Sequence, residues 1–272
     1  MQAYSLPKGS TILLNRAIFK LIGSDAIRYL NGQCTQDVKL ASTSQALYAL
    51  VTNFKGKLDG DCFIRLHQNT LLIDTPIELR EELFMRLDRY IIADDAQLID
   101  ITDELELVHT INPDSENSWS INRFGQDGSE HLIPKGSFEG ESLDPIEVEK
   151  ARISHAIPLW GAELDNTTLP PDAGLEARAI SYTKGCYTGQ EVISRMRSAG
   201  KTNRHLVLLE IDKPVPTGTQ LLCPGATEEK PAGSITSCVI IDGKQIALAY
   251  RKRKHQETSR FTAARAVATV IR

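Results

Sequence analysis

One cysteine in this chain lies in a local sequence that favours thiol chemistry. Cys186 is flanked by Gly185 and Gly189, follows Lys184, and lies just ahead of a segment with helical spacing of apolar residues. The free amides and the macrodipole at a helix N-terminus favour negative charge, as does a nearby ammonium group. Because the thiolate is the reactive form of cysteine and such surroundings lower its pKa, we predict that Cys186 is the most reactive thiol in the chain.

The segment after Cys186 has the pattern of a short basic helix. Ile193 and Met196 suit one apolar face of that helix. Thr188 is placed to cap its start, and Gly200 is placed to end it. A simpler interpretation stays open at this point, in which Cys186 is a buried packing residue and its glycine neighbours only shape a turn.

The remaining cysteines do not form a recognisable ligand or disulfide pattern. The chain has five cysteines, an odd number, with wide gaps and no CxxC pair. Neither a disulfide framework nor a sequence-local metal site is therefore expected. Most of the other thiols are expected to be small buried packing residues, namely Cys34, Cys62, Cys223 and Cys238.

Charge is unevenly distributed along the chain. The formal net charge is −4, yet residues 182–205 carry five Lys and Arg against one acid, and residues 251–254 are all basic. Such stretches either form solvated faces or present a local positive surface to an anion. No stretch approaches the roughly 20 apolar residues of a membrane helix, and the first residues lack a signal-peptide pattern, so a cytoplasmic location is expected.

The elements that must position these residues indicate a mixture of helices and strands. Residues 58–66 and 70–74 have the pattern of a β-hairpin. Thr75 with Glu78 predicts a capped helix start, and Asp144 opens a second segment of the same kind. Both predicted helices continue with apolar residues on one face, so each is expected to pack against a core.

The pattern changes after Arg204. Short strands separated by turns follow it, and Asp242 with Gly243 is a strong signal for a two-residue hairpin turn. This tail predicts a small β-barrel, with a domain boundary near Arg204 and His205.

A resemblance then adds to the local chemistry. Residues 184–191, Lys-Gly-Cys-Tyr-Thr-Gly-Gln-Glu, resemble the K-G-C-Y-x-G-Q-E hallmark of the YgfZ family, which is related to the glycine-cleavage T-protein, an aminomethyltransferase. Residues 30–38 resemble the first-helix segment of that family, and residues 55–57 resemble its next motif. Residues 157–175 resemble a stretch shared with the T-protein, so the likeness spans about residues 12–210.

The resemblance implies an α+β fold, a GcvT/YgfZ-like cloverleaf of two α/β lobes with a small C-terminal β-barrel around a central folate cleft. Residues 1–204 would form the folate-binding region, with two interleaved lobes of which the second covers roughly residues 46–140. Residues 205–272 would form the barrel.

The resemblance also implies a function. It implies binding of tetrahydrofolate or a derivative, and support for the assembly or repair of iron–sulfur proteins, including enzymes that methylthiolate tRNA. Folate and such iron–sulfur enzymes are the expected partners. The motif cysteine is the functional residue of the family, here Cys186. Its thiol could form a mixed disulfide, contact a cluster iron transiently or attack an activated one-carbon unit.

Other site residues carry over position by position. Asp172 stands where the T-protein has the glutamate that contacts the pterin, and Arg204 is placed to pair with the glutamyl carboxylate of a folate. Asp61 corresponds to one member of an Asp-Asp pair of the T-protein, which Gly60 interrupts here.

Four further residues complete the expected folate-binding set. Arg16 and Val148 stand at two positions that are aromatic in some relatives. Lys184 and Gln190 belong to the motif itself.

Two other functions stay open from the sequence. The first is a true aminomethyltransferase, which needs a positioned carboxylate such as that of Asp61. The second is a docking module without catalysis, in which a basic patch binds a partner or RNA phosphate. The residues of that patch are Lys184, Arg195, Arg197, Lys201 and Arg204.

Overall fold

The computed structural model describes residues 2–112, 118–200, 202–225 and 230–272. In chain order its strands are β1 (Thr11–Leu14), β2 (Arg16–Ile22), β3 (Leu47–Thr52), β4 (Leu58–His67), β5 (Thr70–Pro76), β6 (Gln97–Asp100), β7 (Leu105–Ile111), β8 (Trp119–Ile121), β9 (Gly128–Pro134), β10 (Arg204–Ile211), β11 (Gln220–Leu222), β12 (Gly233–Ile241), β13 (Lys244–Lys252), β14 (Arg260–Ala263) and β15 (Ala266–Val270). The α-helices are α1 (Ala26–Gln33), α2 (Arg80–Asp88), α3 (Pro145–Ser154), α4 (Glu176–Ala179) and α5 (Gln190–Ala199). None of these helices combines the length and apolar character that crossing a bilayer requires.

The first sheet has five antiparallel strands in the order β3-β4-β5-β2-β6. In β2, Phe19 and Leu21 enter the core that also contains Leu30 of α1 and Leu83 of α2, whereas Ile18 joins a second core. This alternation follows from the pleat, which sends successive side chains of a strand to opposite faces. The hairpin expected from the sequence is confirmed, because β4 and β5 pair directly.

The second sheet has four strands in the order β1-β7-β9-β8. Leu107 of β7 and Trp119 of β8 pack against Ile18 and Phe63 of the five-stranded sheet. Strands β1 and β2 are separated by Asn15 alone, yet they belong to different sheets. The chain therefore crosses from one sheet to the other over a single residue.

The two expected helix starts differ in outcome. Asp144 caps α3 as predicted, with its Oδ1 accepting from the Ile146 amide over 2.8 Å. Thr75 does not cap a helix, because it belongs to β5 and its hydroxyl donates to the backbone oxygen of Asp61. A 3₁₀ turn at Ile77–Leu79 separates this strand from α2.

The C-terminal strands close into a barrel in the order β10-β13-β12-β11-β14-β15. Leu209, Ala247 and Phe261 are among the residues that fill its interior. The hairpin turn at Asp242 and Gly243 is confirmed, since both residues have the positive φ that the tight turn requires. The mixed fold with a C-terminal barrel is thus the one that the sequence predicts.

A buried polar cluster attaches the barrel to the rest of the chain. On α3, the Arg152 guanidinium donates to Glu163 Oε2 over 3.0 Å and to Ser237 Oγ of β12 over 2.9 Å. Ser237 in turn donates to Glu163 Oε1 over 2.6 Å. Because all three side chains are buried, their polar atoms stay paired only while α3, the loop that follows it and β12 remain together.

A buried ionic network joins the two sheets. Arg65 of β4 forms ion pairs with Asp74 of β5, over 2.8 Å, and with Glu130 of β9. Arg123 bridges the same two carboxylates, over 2.9 Å to Asp74 and 2.6 Å to Glu130. The Asp74 carboxylate also accepts from Arg16 of β2 over 2.8 Å. Two carboxylates from different sheets therefore share two guanidinium groups, and a third contacts Asp74 alone.

The network determines the charge state of its carboxylates. Burial raises the pKa of Asp74, but the Arg123, Arg65 and Arg16 guanidiniums more than offset this effect and hold that pKa below its usual range. The carboxyl therefore stays ionised in the folded protein at neutral pH. Its contribution to stability is present above its ordinary pKa and is lost as the pH falls toward the lowered value.

Replacement of Arg65 by Met tests how strongly the fold depends on this network. We expect the free energy of unfolding in urea to fall by about 3–5 kcal/mol, because two buried carboxylates each lose a partner. The matched control is Arg80→Met, since Arg80 also pairs with two acids, Asp100 and Asp103, but near the surface. That control should lose under about 1 kcal/mol. Equal losses in the two variants would contradict a special role for the network.

Candidate functional site

The motif segment lies between α4 and α5, and its glycine shapes the helix start. Gly189, with φ +86°, occupies the N-cap of α5, so the expected cap by Thr188 is wrong. The Thr188 backbone is used instead to hold the loop, because its amide donates to Gly32 O and its carbonyl accepts from Thr52 Oγ1. Gly200 ends the helix in the left-handed conformation, as predicted.

The turn at Gly189 is pressed against the turn that contains Gly56. A Cβ atom on Gly189 would lie 2.5 Å from Asn53 O and 2.7 Å from Thr52 Oγ1, and 3.2 Å from the Cα of Gly56. A side chain at Gly56 would in turn approach Val192 of α5 within 3.1 Å. The two glycine-containing motifs of the sequence therefore meet backbone to backbone, and this contact explains why both lack side chains there.

Lys184 anchors the motif loop rather than facing open solvent. Its side chain is buried, and its ammonium group donates to the carbonyls of Asn31, Cys34 and Gln36, over 2.6, 2.7 and 2.7 Å. Burial lowers the pKa of this lysine. All three N–H donors are used by backbone carbonyls at and beyond the end of α1, so they are not directed at the Cys186 thiol.

Cys186 is the exposed member of the five cysteines. The interpretation as a buried packing residue is therefore wrong for it, whereas Cys34 and Cys62 are buried as expected. Burial raises the pKa of Cys34 to about 11 and raises that of Cys62 well above its usual value, so both thiols stay protonated. An accessible thiol beside the anchored loop is thus available at Cys186.

The neighbouring motif and helix residues are arranged around local partners. Arg195 pairs with Glu191 over 3.0 Å at the surface, and the Arg197 guanidinium lies 3.8 Å from the centre of the Tyr182 ring. Gln190 is half-buried in the first turn of α5. Lys201 lies outside the described residues.

A cavity of about 250 Å³ opens where α3 meets the two sheets. Three residues expected from the sequence line it together, namely Arg16, Asp61 and Val148. The aromatic rings of Phe63 and Phe124 supply apolar wall. The cavity is therefore lined by both apolar and ionisable side chains, the mixture typical of small-molecule sites.

The carboxyl group of Asp61 is buried at this cavity and is only partly hydrogen-bonded. Its side chain is buried, Oδ2 accepts from the Tyr48 hydroxyl over 3.2 Å, and Oδ1 has no hydrogen-bond partner among the described residues. Burial raises the pKa of the carboxyl, while the Arg16 guanidinium and the Tyr48 hydroxyl oppose part of that rise. A buried acceptor without a donor costs about 1–3 kcal/mol, which a ligand N–H group could recover.

Three arginines of the cavity, Arg123, Arg152 and Arg178, were not expected from the sequence. The Arg123 guanidinium lies 3.8 Å from the centre of the Phe63 ring, and that of Arg178 lies 5.1 Å from the Tyr48 ring. Burial lowers the pKa of Arg178. No local pattern marks these arginines, although a charged residue within an apolar strand, such as Arg65, would have signalled a buried ionic group.

Asp172 and Arg204 lie apart from this cavity and pair with each other. The Arg204 guanidinium donates to Asp172 Oδ2 over 3.3 Å and lies 3.9 Å from the centre of the Tyr250 ring. Asp172 is buried, its Oδ1 has no partner among the described residues, and burial raises its pKa. The expected folate contacts therefore fall into three groups. Arg16, Asp61 and Val148 line the cavity, Asp172 and Arg204 form a separate pair, and Lys184 and Gln190 lie in the motif segment.

The described residues contain no group of three or more His, Cys, Asp or Glu side chains arranged to hold a metal ion.

The fold is that of the glycine-cleavage aminomethyltransferases. The chain superposes on the aminomethyltransferase T of the glycine cleavage system from Bartonella henselae with a TM-score of 0.81, covering 97% of this chain and 84% of that chain at 15% identity. No protein-family profile matches the chain.

The amino-acid sequence is also similar to those of individual proteins. The chain is 28% identical over 275 residues to the tRNA-modifying protein YgfZ of Aliivibrio fischeri, covering 90% of this chain and 85% of that protein. It is 28% identical over 241 residues to the protein of the same name from Hamiltonella defensa, covering 74% of this chain and 69% of that protein. The resemblance to the YgfZ family predicted from the motif is confirmed.

Replacement of Gly189 by Ala tests the backbone contact that positions the motif loop. We expect the free energy of unfolding to fall by about 2 kcal/mol or more, because the positive φ is unfavourable for Ala and the new methyl group meets backbone atoms. Gly185→Ala is the matched control, since a Cβ there meets nothing within 4 Å. It should change stability by under about 0.5 kcal/mol in the same urea titration. A similar loss in both variants would show that the contact is not tight.

Proposed function

We propose that this protein binds a reduced folate in the cavity around Asp61 and supports iron–sulfur enzymes, and through them tRNA modification, with Cys186 as its functional thiol. The observation that carries the folate part is the buried Asp61 oxygen without a partner, in a cavity with aromatic walls. The relatives named for tRNA modification support the process. A cytoplasmic location fits this role.

The chemistry of the cavity suits a pterin ring. A pterin presents N–H donors along one edge, and the free oxygen of Asp61 is an acceptor that lacks one. Phe63 and Phe124 can contact the faces of a flat heterocycle. At about 250 Å³ the cavity is smaller than the roughly 300–1,000 Å³ typical of drug-sized ligands, so the ring would be enclosed and the rest of a folate would extend outward.

The thiol and the cavity are separate parts of this proposal. Cys186 is exposed and is not among the residues that line the cavity. An exposed thiol can reach a partner protein, and thiolates both bind iron and exchange with disulfides. In this proposal the folate binds in the cavity of this protein and does not react with the Cys186 sulfur, which lies outside the cavity.

A second candidate function is aminomethyl transfer, and the position of Asp61 favours it. Burial raises the pKa of the Asp61 carboxyl, and a carboxyl exchanges protons with a substrate more effectively when its pKa is raised toward the working pH. This activity would form methylenetetrahydrofolate from an aminomethyl group on a lipoyl carrier, and it would depend on Asp61 but not on Cys186. An assay for that product separates this candidate from the first. RNA docking is less favoured, because Arg195, Arg197 and Arg204 already contact Glu191, Tyr182 and Asp172.

Titration with tetrahydrofolate tests the cavity. We expect Asp61→Asn to weaken binding at least about 10-fold in calorimetry. The substitution replaces one acceptor oxygen by an NH₂ group, which cannot accept a hydrogen bond from a pterin N–H. The variant should be no less stable than the wild type at pH 8, since it removes an ionised carboxylate whose burial is unfavourable.

The matched control for this titration is Asp172→Asn. Asp172 is also buried and also has an oxygen without a partner, but it is paired with Arg204 and does not line the cavity. The variant Asp172→Asn should bind tetrahydrofolate nearly as well as the wild type. Loss of binding in Asp172→Asn with full binding in Asp61→Asn would place the pterin elsewhere and refute this part of the proposal.

Complementation tests the thiol. In cells that lack the gene, Cys186→Ser should fail to restore tRNA methylthiolation under oxidative stress, because a hydroxyl neither binds iron as a thiolate does nor exchanges with disulfides. Cys238→Ser is a matched control, because Cys238 is a half-buried barrel residue. Full restoration by Cys186→Ser, at equal protein levels, would remove the functional role of this sulfur.

A further inference from the structure

The barrel contains a second cysteine with a chemical partner. Cys223 directly follows β11, and its Sγ lies 3.2 Å from Nδ1 of His255. His255 ends the 3₁₀ turn Arg253–His255, which follows β13. Both side chains are half-buried, so the pair is neither enclosed in the barrel core nor fully exposed.

The environment of His255 favours a neutral imidazole. Burial, with the positive charges of Lys254 and Lys252, lowers the pKa of His255. Its Nε2 is shielded from solvent and has no hydrogen-bond partner among the described residues. A neutral ring held next to the sulfur can accept the thiol proton at Nδ1, which is the arrangement that activates a cysteine nucleophile.

The same end of the barrel carries the basic run of the sequence. Lys252, Arg253 and Lys254 are exposed, and none of them forms an ion pair with a described residue. The proposed function makes no use of this run. Unpaired cations beside a thiol raise the local concentration of anionic reactants.

We propose that Cys223 and His255 form a second thiol site, at which Cys223 is reversibly modified by small disulfides that carry carboxylate groups. The thiol proton moves to Nδ1 of His255 as the sulfur attacks one sulfur of the small disulfide. The disulfide bond of the reactant breaks, a new one forms to Cys223 Sγ, and the departing thiolate takes the proton from His255. No oxidant other than the small disulfide is required.

Cys238 is an internal control in the same barrel. It is also half-buried, but its Sγ contacts the Val215 carbonyl at 3.7 Å instead of an imidazole. Burial raises the pKa of this thiol. A difference in reactivity between Cys223 and Cys238 therefore contains the effect of burial as well as that of the imidazole, and the variant His255→Gln separates the two effects.

The test is incubation of the folded full chain with glutathione disulfide, which carries carboxylates, followed by peptide mass spectrometry. We expect Cys223 to be modified at least about 10-fold faster than Cys238. His255→Gln should lower the rate at Cys223 by about 10-fold or more. Equal rates at Cys223 and Cys238 in the wild type would overturn the proposal, and that comparison needs no variant to fold.

Charge reversal tests the choice of reactant. Lys252→Glu with Lys254→Glu should lower the rate at Cys223 several-fold more for glutathione disulfide than for the neutral 2-hydroxyethyl disulfide, because the effect of the reversed charges on His255 is common to both reactants. The matched control is Lys213→Glu with Arg265→Glu, which changes the net charge equally at the opposite end of β10, where both side chains are exposed. If both double variants lower the rate with glutathione disulfide equally, the basic run has no local role and this part of the proposal fails.

Discussion

The arrangement of the two sheets depends on charges that cannot leave the interior. Asp74 and Glu130 come from different sheets and are fully buried, so each requires the guanidiniums of Arg65 and Arg123. Two of the network arginines, Arg16 and Arg123, also line the cavity. The same side chains therefore hold the sheets together and determine the electrostatics of the candidate ligand site, which couples the stability of the fold to the polarity of the cavity.

The motif loop depends on a different constraint, the close approach of two backbones. Gly189 contacts the turn that contains Gly56, and Lys184 binds three carbonyls at the end of α1. The loop is thus held by main-chain atoms of the turn after β3 and of the segment at the end of α1. Cys186 is exposed on a loop that these contacts hold in place, which gives its thiol a defined position.

Local sequence was a good guide where local interactions decide the structure. The cap at Asp144 needs only its own helix and was predictable, as were the barrel turns. Thr75 and Thr188 have the residue types of caps, but tertiary pairing draws the first into a strand and the second into a backbone contact. Lys184 was expected to lie beside the thiol, but its ammonium group donates to backbone carbonyls far away in the chain, such as that of Cys34. The burial of Asp61 depends on residues far apart in the chain, and a motif alone does not reveal it.

The single-residue crossing at Asn15 has a mechanical consequence. Leu14, Asn15 and Arg16 all line the cavity, so part of its wall is a covalent link between the two sheets. A second link, residues 101–104, joins β6 to β7. A rotation of one sheet against the other would change the backbone angles of both links, and at Asn15 it would change the width of the cavity at the same time. A molecule bound there would contact this link, and its binding would restrict the movement of one sheet relative to the other.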